Sequence, residues 1–155
     1  MLRQVNVHPP PWMTADRPWL HVTGEGSGPR EEPTDSGFVR ILDGRLMPTV
    51  DTLFDAFHGA LSFPSYFGRN WPAFHECVRD LTWLPAPSYR IVIAAASELL
   101  IGDLGDRPTF LRLMRDTGRS WAHRVGLGPE WGRGPVAFNT VLVGAPSEWL
   151  TGLRW

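Results

Sequence analysis

The side chains with most chemical capacity fall in one short stretch: His75, Glu76 and Cys77, with Arg79 and Asp80 just beyond. His75-Glu76 is the opening of a zinc-protease HExxH, but Arg79 stands where the second histidine is required, so no zinc pair forms. His75 and Cys77 are two residues apart, and positions two apart on a helix do not face each other. That spacing removes a Cys–His nucleophile pair within a helix. The chain has no Lys, hence no phosphate loop ending in Lys, and no G-x-G-x-x-G follows a strand-like run. His8, His21, His58, His75 and His123 are scattered without metal-ligand spacing. No catalysis, metal or cofactor is expected. What remains is recognition through the loop and the exposed helix face that carries His75, Glu76 and Arg79.

The elements around Glu76 are legible. In Phe63–Leu84, FPSYFGRNWPAFHECVRDLTWL, Pro64 sets an extended entry, because the residue before a proline is pushed out of the helical region. Gly68 supplies a turn position suited to positive φ. Asn70 is an N-cap, with Trp71 and Pro72 in the first turn, where a missing N–H costs nothing. Ala73, Phe74, Cys77, Val78 and Leu81 then recur at helical spacing and form one apolar face. Pro72, His75, Glu76 and Arg79 lie opposite, with Asp80 at the edge. Arg79 is three residues beyond Glu76 and within reach of it. Of the two loop aromatics, Phe67 is expected to cover the core, since Tyr66 has a polar tip to present.

This run resembles the barstar family of intracellular inhibitors of barnase-type ribonucleases. Pro64, Tyr66, Phe67, Gly68, Asn70, Ala73, Glu76, Cys77 and Trp83 match the family pattern, with Phe74 and Val78 in place of leucines. The likeness extends more weakly from about residue 37 to 144. It implies a three-stranded parallel sheet with helices packed on it, and a barnase-type ribonuclease as protein partner. It puts Glu76 at the phosphate-mimicking carboxylate, Tyr66, Gly68 and Asn70 in the loop over the enzyme site, and His75 at an aromatic contact. Asp116 corresponds to an outlying acidic contact. Arg79 and Asp80 share the exposed helix surface and complete the expected partner-binding set. The chain departs from the family at Pro72 and Arg69, where acids are usual, and Arg79 further reduces negative charge.

The 155 residues suit one domain with decorated ends, and 43% hydrophobic content suffices for a core. All 15 basic residues are Arg and the net charge is −1, with no basic stripe, so neither nucleic acid nor an anionic membrane is an expected partner. No apolar signal core or membrane-length run is present, and a cytoplasmic monomer is expected. Cys77, the lone cysteine, reads as a small buried hydrophobe.

Residues 1–35 read as a Pro/Gly-rich arm, residues 36–145 as the barstar-like domain, and residues 146–155 as a Trp-rich tail. Within the arm, residues 19–22 read either as a short docked strand or as an apolar clip. Strands are expected at 37–42, 89–96 and 136–143. Helices are expected after the Thr49 cap, at 70–81, at 97–104 and from Asp106 past Trp121 to Val125, weakened by Gly118. Residues 126–134 read as a loop. Strand, helix, helix, strand, helix, strand requires an α/β fold with parallel pairing through crossovers. Two functions fit: occlusion of a ribonuclease site by Glu76, or an interaction or immunity protein of the same fold directed at another toxin or partner.

Overall fold

A computed structural model describes residues 11–26, 37–124 and 134–155. The expectations for the rest of the arm, for Val125 and for the 126–133 loop lie outside the described residues.

Two features build the centre. The runs β3 (Ser88–Ala94) and β4 (Ala137–Val143) are apolar throughout because both faces of the sheet are covered. Ile91, Ile93, Phe138 and Leu142 face the main core, while Val92 and Val141, buried on alternate positions, face the other side. β2 (Phe38–Asp43) pairs with β3 in parallel, and β3 pairs with β4 in parallel. The α/β class and the parallel sheet agree with the sequence reading.

The sheet has four strands, not three, in the order β1-β4-β3-β2. The addition is β1 (Leu20–Thr23), parallel to β4 with Leu20 opposite Thr140. It is held because Leu20 is fully buried in the core and because α3 (Arg107–Ala122) comes unusually close at Gly118. A methyl group there would lie 2.2 Å from Trp19 Cβ and 2.9 Å from the Phe138 carbonyl oxygen. Gly118 is therefore a docking position for β1 rather than a weak point in a helix. On the other face of the sheet His21 donates from Nε2 to Asn139 Oδ1 at 2.8 Å, and Asn139 Nδ2 donates to the Thr14 carbonyl at 2.8 Å. Those bonds fasten the described part of the arm across the strands.

α1 (Val50–Leu61) starts in a Thr49–Thr52 capping box and buries Leu53, Phe54, Phe57 and Leu61. Residues 97–104 do not form one helix; short 3-10 turns at Ala96–Glu98 and Leu104–Asp106 lead into α3. Another 3-10 turn at Ser147–Leu150 starts the tail, whose Trp149, Leu150, Leu153 and Trp155 pack against the core.

Candidate functional site

α2 (Trp71–Asp80) carries the site, and its start is fixed by its own sequence. Asn70 Oδ1 accepts from Ala73 N at 2.8 Å, satisfying a donor that the first helical turn leaves open. Asn70 Nδ2 donates to the Gly68 carbonyl at 3.3 Å, so the same side chain holds the preceding loop. Trp71 donates from its indole N–H to Asp106 Oδ1 at 3.0 Å, tying α2 to the start of α3. Phe74 is fully buried, with ring centroids 5.0 Å from Phe57 and 6.3 Å from Phe110. The far end is held equally firmly. Trp121 donates from its indole N–H to the Val78 carbonyl at 2.9 Å. Arg124 donates to the Arg79 carbonyl while its guanidinium lies 3.3 Å from the Trp121 ring centroid. A cation at the carbonyl end of a helix also opposes the helix dipole.

On this anchored helix Glu76 is exposed, and among the described residues its carboxylate has no hydrogen bond or ion pair. The neighbour that could have neutralised it does not: Arg79 turns back and donates from Nε to the His75 carbonyl at 3.3 Å. His75 is half-buried, and among the described residues its Nε2 has no hydrogen-bond partner. Burial, then the charge of Arg79, push its pKa below the ordinary histidine value, against an upward pull from Asp116. Cys77 is a buried free thiol with its pKa pushed up by burial, then by Glu76 and Asp80, so little reactive thiolate forms.

The loop before α2 divides its aromatics as expected. Tyr66 is 76% exposed, whereas Phe67 packs on Phe63 and Phe54 with centroids 5.0 and 5.5 Å away. The left-handed backbone does not fall on Gly68, as expected from sequence, but on Arg69, with φ 51°. Arg69 is held there by ion pairs to Asp51 and, at 2.8 Å, to Asp55 of α1. Its positive charge is thereby opposed by two carboxylates. A methyl at Gly68 would meet only ordinary contacts at 3.5 Å.

The structure brings His75, Arg79 and Asp116 together along a groove of about 550 Å³ between α2 and α3. Asp116 is held by Arg115 Nε at 2.9 Å. Asp80 is not part of this groove; it is half-buried at the end of α2, where its charge acts on Arg124. Sequence reading missed Arg119, Ser120 and His123, which line the same groove. The signal was present, since 116, 119, 120 and 123 follow the i, i+3, i+4, i+7 rule for one helix face. It also missed Asp51 and Asp55, one turn apart on the exposed face of α1. Among the described residues no group of three or more His, Cys, Asp or Glu could hold a metal ion.

A family model described as Barstar (barnase inhibitor) matches residues 38–127, more than half of the chain. The chain belongs to the barstar family. The barstar match runs from β2 through α3, so it includes the loop, α2 and the groove, while β1, β4 and the tail lie outside it. The family is one of inhibitors rather than enzymes. No curated protein matches the chain, and none of its described helices is long and apolar enough to cross a membrane.

Proposed function

We propose that this barstar-family chain is a cytoplasmic inhibitor that binds a barnase-type ribonuclease and blocks its active site. A ribonuclease site is built to hold RNA phosphate and is therefore lined with cationic donors. A carboxylate on a rigid support can take several charge-assisted hydrogen bonds in the place of that phosphate. The observation that carries the reading is the Glu76 carboxylate: exposed, without a partner among the described residues, on a helix fastened at both ends. Tyr66 and the open backbone at Gly68 form the adjoining loop contact, and Asn70 positions that loop rather than reaching outward. The barnase–barstar pair is itself the reference case for strong coupling between close charges across an interface.

The experiment is to mix the protein with a barnase-type ribonuclease from the same genome and follow RNA cleavage. Inhibition by the wild-type chain is expected. Glu76→Ala should weaken binding by at least ~2 kcal/mol, the scale of an interface hot spot. Unchanged cleavage at micromolar protein, or unchanged affinity in the variant, would count against the reading. A second reading keeps the fold and directs it at another toxin or partner. It is favoured by Pro72 at a position usually acidic in the family and by the cationic Arg79 beside Glu76.

A further inference from the structure

The groove between α2 and α3 has an uneven charge balance. Its acid, Asp116, is already paired with Arg115, which does not line the groove. Its two guanidinium groups, on Arg79 and Arg119, have no ion pair among the described residues. Arg79 commits only Nε to the His75 carbonyl, and Arg119 gives one N–H to the Arg154 carbonyl at 3.3 Å. Both keep further N–H donors. Ser120 adds a hydroxyl. Past His123 the groove continues into a recess of about 840 Å³ that shares Arg119 and His123 and adds Asp16, Arg17, Trp19 and Trp155. Those four residues come from outside the family match.

Two guanidinium groups without ion pairs, beside a hydroxyl, suit an anionic oxygen acceptor. We propose that this trough receives an Asp or Glu side chain of the protein partner, so that carboxylates pass in both directions across the interface. The proposal rests on the inhibitor reading for the identity of that partner. It accounts for the positive charge beside Glu76, which a purely acidic inhibitor face would lack. A single carboxylate suits the trough better than an RNA strand, because Asp116 in the groove and Asp16 in the adjoining recess repel a polyanion.

Two measurements test this. In the first, the full chain is titrated at low salt with an end-capped Gly-Glu-Gly peptide, and the His75 and His123 ring resonances are followed by NMR. Saturable shifts are expected, lost in the Arg79→Ala/Arg119→Ala double variant and kept in Glu76→Ala. No saturable shift, or shifts with oligouridylate alone, would overturn the proposal. In the second, Arg79→Glu is assayed against the ribonuclease described above. Filling of the trough by a carboxylate predicts at least tenfold weaker binding. A purely acidic face predicts tighter binding to a basic enzyme, and that result would overturn the trough while leaving Glu76 in its role. If the wild-type chain inhibits no ribonuclease, the Glu76 reading fails, and the peptide titration decides the trough by itself.

Discussion

Replacing Gly118 by Ala sets helix propensity against packing, and the two predict opposite signs. In a helix interior Ala is favoured over Gly by about 1 kcal/mol. Gly118 sits within α3, so propensity alone predicts a gain. The structure predicts a loss. The new methyl would meet Trp19 Cβ at 2.2 Å, Trp19 Cγ at 2.5 Å and the Phe138 carbonyl oxygen at 2.9 Å. To restore ordinary carbon–carbon contact, α3 and β1 must separate by about 1.3 Å or more. The obstructing atoms are a Cβ and a backbone oxygen, which cannot swing aside as the tip of a side chain can. Overpacking of this kind costs about 1–3 kcal/mol, and the upper end applies here. If β1 leaves instead, Leu20 loses its full burial, at a cost of about 1.5–3 kcal/mol. Net of propensity, Gly118→Ala should destabilise the protein by ~2 kcal/mol. Urea denaturation reads the midpoint. Hydrogen exchange at the Thr140 and Gly144 amides, which bond the Trp19 and Thr23 carbonyls at 3.0 and 2.8 Å, reads the detachment of β1. A midpoint equal to or above that of the wild type would refute the close approach of α3 to β1.

Two further outcomes follow from the polar groups. Burial holds the pKa of His21 below its ordinary value, and His75 shifts the same way. The unfolded chain therefore takes up protons first as the pH falls. The stability from these neutral imidazoles is present above the unfolded value and declines as the pH falls from about 6.5 through the folded values. Urea midpoints measured between neutral and mildly acid pH should drop, and His21→Gln should flatten part of that drop. Asn139 is fully buried between His21 and Thr14, so Asn139→Ala leaves a ring N–H and a carbonyl without partners. A loss of about 2–3 kcal/mol in chemical denaturation is expected.

How far the sequence could be read depended on the range of each interaction. The start of α2 was legible because Asn70, Trp71 and Pro72 act on backbone within one turn. β3 and β4 were legible because burial on both faces leaves unbroken apolar runs. β1 was only an alternative, since its place depends on partners far along the chain, Thr140 for pairing and Gly118 for room. Gly118 read as a helix flaw for the same reason: local propensity says nothing about an approaching strand. At 68–69, local chemistry favoured Gly for the left-handed position, yet the bonds from Arg69 to Asp51 and Asp55 put it on the arginine. The exposure of Glu76 followed from helical spacing, but the direction taken by Arg79 did not. Half of the groove was written in the polar stripe of α3, while its position opposite His75 arises only when the two helices pack.

The pairing of β1 with β4 has a consequence for biosynthesis. Leu20 leaves the ribosome 120 residues before Thr140, its opposite number. During that interval β2, α1, α2, β3 and α3 are made, while β4, the strand that β1 joins, is not. Because β1 and β4 pair across most of the chain, this contact closes late. The nascent chain thus carries an unsatisfied Leu–His–Val–Thr segment until its last strand is translated, and the sheet is completed from its final piece backward to its first.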